Sequence, residues 1–238
     1  MVLTVVSQGS AGASPRRPPA PVMELRLKGL SYAGTPILGE ITLALRPGET
    51  LALVGPSGIG KSTLLRIMAG LERGFRGTLK APERRAMIFQ EPTLLPWRTL
   101  SENLRVTTGI GPEAAEAALD EVGLGGRGAD FPGQLSLGQQ RRVALARAFA
   151  IRPQLLLMDE PFVSLDPDQA ERMMRMFARL RAAHGVATVL VTHVESEAEK
   201  LASRIVTLAG QPARITSERQ NKGAYFQLPA SGENSSGP

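Results

Sequence analysis

Nine consecutive residues, Gly55-Pro56-Ser57-Gly58-Ile59-Gly60-Lys61-Ser62-Thr63, fit the pattern G-x-x-x-x-G-K-[ST] completely. Glycines at such a loop let backbone N–H groups converge on phosphate oxygens without a Cβ in the way. A helix opening at Lys61 adds partial positive charge at the same place. Lys61 can bridge the β- and γ-phosphates of a nucleoside triphosphate, and Ser62 can put its hydroxyl on Mg²⁺.

A second group of chemical residues closes the apolar run Leu155-Leu156-Leu157-Met158 with Asp159-Glu160. Strand C-termini in open α/β sheets face the ligand crevice. Asp159 there would reach Mg²⁺ through its shell. Glu160, sent the other way by strand alternation, would polarise an attacking water. An acidic turn at a strand end is the plainer alternative. A glutamate directly after the aspartate favours a hydrolase over a kinase or a passive nucleotide binder.

These residues need elements to hold them. Leu51 to Val54, before the glycine loop, is a short unbroken apolar run of the kind a strand buried on both faces requires. Lys61 to Ala69 follows as a helix that Gly70 can end. Met87 to Phe89, Leu155 to Met158, Val189 to Val191 and Ile205 to Leu208 are further buried-strand candidates. Helices are expected over Pro112 to Val122, with Gly123 as cap, over Gly138 to Ala150, and over Asp168 to Ala183, ended by Gly185. Alternating strands and helices predict a mainly parallel sheet. Met23, Leu25 and Leu27, then Ile41, Leu43 and Leu45, instead alternate with polar residues, which predicts an antiparallel opening.

The 238 residues suffice for one large α/β domain with a sizeable core. With no cysteine, disulfides and thiolate metal sites are excluded, and His184 and His193 are the only histidines. The net charge of +6 is spread along the chain, which reads as solvated faces, so no nucleic-acid partner is expected. No stretch nears the roughly 18 consecutive apolar residues of a membrane span. The apolar run Met1 to Val6 is too short for the core of a secretion signal. Residues 1–22, rich in Gly, Ser, Ala and Pro, read as a disordered arm, and 229–238 as a disordered tail.

Taken together, the chain resembles the ATP-binding subunits of ABC transporters from Met23 to Leu208. Met87-Ile88-Phe89-Gln90-Glu91-Pro92 looks like the family's Q-loop, which implies that Gln90 touches Mg²⁺ or water. Leu135-Ser136-Leu137-Gly138-Gln139 resembles the LSGGQ signature, with Ser136, Gly138 and Gln139 facing the γ-phosphate held by another subunit. Leu137 departs from the pattern's glycine; if that position needs φ > 0, leucine costs on the order of 1 kcal/mol. Ser164-Leu165-Asp166 looks like the D-loop, or is an ordinary helix N-cap. Thr192-His193 looks like the switch histidine, with Val194 where the family often has Asp. Tyr32 stands where the family stacks adenine, or is a surface tyrosine at a turn. Glu91 to Thr99 resembles the nitrate, sulfonate and taurine importer branch. Trp97 within it is either an anchor for a membrane subunit or a core residue.

The resemblance implies a P-loop NTPase fold of class α/β over 23–228, with an N-terminal antiparallel β subdomain and a helical subdomain inserted at about 91–150. It implies an ATPase with ATP and Mg²⁺ as cofactors. Glu160, His193, Gln90 and Lys61 would be catalytic. Tyr32, Gly55 to Thr63, Ser136, Gly138 and Gln139 would bind nucleotide, and Ser62, Gln90 and Asp159 the metal. No arginine finger is evident in the chain, so a second copy is expected to complete each site head to tail. The expected setting is the cytoplasmic face of a bacterial inner membrane, on a permease fed by a solute-binding protein. The alternatives are a soluble ABC ATPase acting on nucleic acid and a non-hydrolytic regulator.

Overall fold

The computed structural model describes residues 19–223. The arm and tail expectations fall mainly on residues 1–18 and 224–238, outside the described ones. The first sheet grows around β1 (Met23–Tyr32), which pairs antiparallel with β2 (Thr35–Leu38), β3 (Ile41–Leu45) and, on another edge, β5 (Arg76–Lys80). Met23, Leu25 and Leu27 are buried together with Ile41, Leu43 and Leu45, as their alternation requires.

The second sheet has the order β10-β9-β4-β8-β7-β6. Its strands are β4 (Thr50–Val54), β6 (Arg85–Ile88), β7 (Leu155–Asp159), β8 (Ala187–Val191), β9 (Arg204–Ala209) and β10 (Arg214–Gln220). All neighbours run parallel except β10 on β9. The central strands are covered on both faces. Leu155 and Leu157 of β7 enter one core with β4, the first sheet and α1 (Lys61–Ala69). Leu156 and Met158 enter the other. This two-sided burial is why these strands read as unbroken apolar runs.

The second core belongs to α2 (Leu100–Thr108), α3 (Pro112–Glu121), α4 (Leu137–Ala150) and α5 (Pro167–His184). A short α6 (Glu195–Leu201) follows β8. Side-chain caps fix where the helices begin. Thr99 and Glu102 form a capping box on α2, Ser136 and Gln139 one on α4, and the Asp166 carboxylate caps α5. Among the described residues no helix is long and apolar enough to cross a membrane.

Candidate functional site

Four adjacent parallel strands deliver the predicted residues to one edge of the sheet. The Gly55–Thr63 loop leaves β4, Gln90 follows β6, Asp159 and Glu160 end β7, and Thr192-His193 follows β8. This is the C-terminal edge, where open α/β sheets bind ligands.

Two glycines of the loop are demanded by space as well as by backbone. At Gly55, φ is +148° and a Cβ would stand 2.4 Å from the Leu208 carbonyl oxygen of β9. At Gly60, φ is +108° and a Cβ would meet Leu38 Cδ2 at 2.8 Å. The loop can therefore curl tightly between β9 and β2 only with these residues.

Lys61 opens α1 and is 4% exposed. Its Nζ donates to the carbonyls of Gly55 at 2.8 Å and Pro56 at 2.9 Å, so the ammonium is already held inside the loop. Burial pulls its pKa down, and the nearby Glu160 and Asp159 charges oppose that shift. Ser62 Oγ donates to Asp159 Oδ1 at 2.9 Å, which ties the loop to the end of β7. Burial, helped by the Glu160 charge, raises the Asp159 pKa despite this hydrogen bond.

Glu160 faces the site by a different route from strand alternation. Its φ is +46°, so the backbone turns left-handed immediately after β7, while its N–H still bonds the Val191 carbonyl at 3.0 Å. A non-glycine residue in that region is locally strained, a condition common at functional positions. The turn brings Glu160 Oε2 to 3.1 Å from His193 Nδ1. A cleft of about 370 Å³ opens beside this pair, lined also by Ser164 and Glu197. Glu197, whose pKa burial raises, accepts the Thr192 hydroxyl at 2.5 Å and so braces the residue before His193.

Gln90 is exposed, and Arg141 Nη2 of α4 reaches its carbonyl at 3.5 Å. Arg147, lower on the same helix, donates to the Pro92 and Thr93 carbonyls, each at 3.0 Å, and to Thr93 Oγ1 at 3.1 Å. These grips hold Thr93 at φ +47°. Tyr32 ends β1, and its hydroxyl donates to Glu72 Oε2 at 2.6 Å.

The signature-like residues lie elsewhere. Ser136, Gly138 and Gln139 line an open cleft with Arg142, Leu165, Gln169 and Arg172, and no residue of the Gly55–Thr63 loop belongs to that lining. Leu137 is the first residue of α4 and is not among the positive-φ residues, so the strain expected for a left-handed leucine is absent. Trp97 is 69% exposed, which removes the core alternative for it. Asp166 is an N-cap, with Ser164 at φ +60° just before it.

Sequence reasoning missed Glu72, Glu197 and Arg147. The contacts of Glu72 and Arg147 join residues 40 to 55 apart in the chain, and that of Glu197, five residues from Thr192, follows no recognised motif. It also passed over α2, although Thr99-Leu100-Ser101-Glu102 carries a capping-box signal.

This arrangement is shared. Residues 38–163 match the family described as ABC transporter. The chain belongs to that family, and its class is the ABC ATPase, which binds and hydrolyses ATP. Among named relatives, the aliphatic sulfonates import ATP-binding protein SsuB 1 of Pseudomonas fluorescens is 43% identical, over 95% of this chain and 88% of its own length. The SsuB protein of Granulibacter bethesdensis is 44% identical, over 84% of each chain. An ATP-binding cassette solved as a dimer in a post-hydrolysis state with ADP and Pi has a TM-score of 0.72 at 27% identity, covering 84% of this chain and 99% of its own.

Proposed function

We propose that this chain is the ATP-hydrolysing motor of an importer for aliphatic sulfonates or a similar small solute. The likeness to sulfonate import subunits over most of their length carries this reading. Relatives that are transport subunits favour it over action on nucleic acid.

In this reading Lys61 and the loop amides hold the triphosphate, and Tyr32 stacks on the base. Ser62, Asp159 and Gln90 are placed for Mg²⁺. The donor set suits that ion: a hydroxyl and a carboxylate, both hard oxygen donors, sit 2.9 Å apart beside a phosphate loop. Bound there, Mg²⁺ would neutralise charge on the phosphate oxygens. Glu160 takes the proton of the attacking water, and His193 steadies Glu160 and reaches toward the γ-phosphate. Ser136, Gly138 and Gln139 point to a second copy, because their cleft does not include this chain's own loop. Two copies thus sandwich ATP head to tail, as a peripheral pair on a permease at the cytoplasmic face of the inner membrane, with a solute-binding protein beyond. The exposed Trp97 is the proposed contact with the permease.

The test is reconstitution. This chain, co-purified with a candidate permease in proteoliposomes, should hydrolyse ATP faster when an alkanesulfonate-loaded binding protein is added. ATPase that ignores every sulfonate, while responding to another solute, would reject the sulfonate assignment.

A further inference from the structure

The Tyr32 ring ends a strand and is 44% exposed, so little packing fixes it. Its orientation comes instead from the hydroxyl, which meets Glu72 Oε2 at 2.6 Å. A charged acceptor makes this a strong hydrogen bond. Glu72 is itself held, for its Oε1 accepts the Gly74 N–H at 2.8 Å. Its backbone is fixed too, since the N–H groups of Leu71 and Glu72 both bond the Arg66 carbonyl, at 2.9 and 3.2 Å. These bonds close the C-terminus of α1 beyond Gly70. One helix therefore registers two things. Its first turn carries Lys61 and Ser62 of the phosphate loop, and the turn bonded to its C-terminus carries the carboxylate that aims the Tyr32 ring.

We infer that Glu72 is a positioning residue for nucleotide binding, holding the Tyr32 ring in the plane on which a base stacks. The inference rests on the stacking role proposed for Tyr32. It gives Glu72 no direct contact with the base, so its effect is blind to base identity.

The experiment measures dissociation constants of the full chain for ATP, GTP and tripolyphosphate by calorimetry. The variants are Tyr32→Ala, Tyr32→Phe, Glu72→Ala and Glu72→Gln. Tyr32→Ala should weaken both nucleotides about tenfold, the scale of one lost stacking contact. Tyr32→Phe and Glu72→Ala should each weaken both about threefold, the scale of one hydrogen bond. Glu72→Gln keeps an acceptor for the phenol and should restore most of the affinity. Tripolyphosphate binding should not change in any of them. If Tyr32→Ala weakens binding while Tyr32→Phe and Glu72→Ala do not, the positioning role is overturned and stacking survives. If Tyr32→Ala binds normally, stacking and positioning both fall. A loss for ATP but not GTP in Glu72→Ala would mean direct base contact, and an equal loss for tripolyphosphate would mean a general structural role; either overturns the inference.

Discussion

The Glu160 carboxylate and the His193 imidazole meet at 3.1 Å across the ends of two neighbouring parallel strands. The left-handed turn at Glu160 makes the contact possible, and Glu197 braces the His193 side through Thr192. A glutamine at position 160 can keep a hydrogen bond to the histidine but cannot take up a proton. Glu160→Gln should therefore lower ATP turnover at least about 100-fold with ATP affinity kept. Light scattering should show an ATP-bound dimer accumulating. A phosphate-release rate near that of the wild type would remove Glu160 from the base role.

Lys61 is held by two carbonyls of its own loop, so removing it disturbs the loop and deletes a phosphate partner together. Lys61→Ala should raise the ATP dissociation constant at least about tenfold, the value of a charged hydrogen bond. Calorimetry that finds unchanged affinity would contradict the assignment.

At Leu137 the family's usual residue should be the worse one here. The position is helical and the backbone unstrained, so Leu137→Gly adds chain entropy and relieves nothing. It should lower the melting temperature by about 1–4 °C, as a glycine within a helix does. A rise in melting temperature would restore the strained reading.

Trp97 is 69% exposed and lends the fold little. Trp97→Ala should melt within about 2 °C of the parent, since exposed substitutions change stability little. The isolated subunit should hydrolyse ATP as before, while uptake in the reconstituted importer is lost. An unfolded subunit would mean that the ring supports the fold after all.

The Asp159 carboxyl titrates above its ordinary 3.8, chiefly because it is buried. Such a group favours the folded state when protonated. That contribution is complete below 3.8 and is lost as pH rises through the folded-state value. Asp159→Asn should thus raise the melting temperature of the nucleotide-free protein at pH 7, by about 1–3 °C, with the gain shrinking toward pH 4. Magnesium-dependent nucleotide binding should weaken in the same variant. A destabilised variant at neutral pH would mean that the Ser62 hydrogen bond outweighs burial.

The phosphate loop and the acidic pair were legible in the sequence because their chemistry acts through neighbours in the chain. Glycine spacing, a lysine at a helix start and acids at a strand end are all local. The buried strands were legible for a related reason: apolar packing on both faces of β4, β7 and β8 leaves few polar positions. β5 and β10 were missed because they are mostly exposed and show no alternation. The Tyr32–Glu72 bond spans 40 residues and the Arg147 bonds to Thr93 span 54, so only the folded chain brings them together. At Glu160 a left-handed backbone turn replaces the strand alternation expected from the sequence, and such a turn leaves no signal in residue type.

Arg147 has a mechanical meaning as well as a structural one. It clasps Pro92 and Thr93, while Ser136 caps the same helix eleven residues earlier, about 16 Å away along the axis. Loop and serine thus ride on one stiff rod. A partner that displaced the Pro92-Thr93 turn would therefore pull on the helix that also carries Ser136.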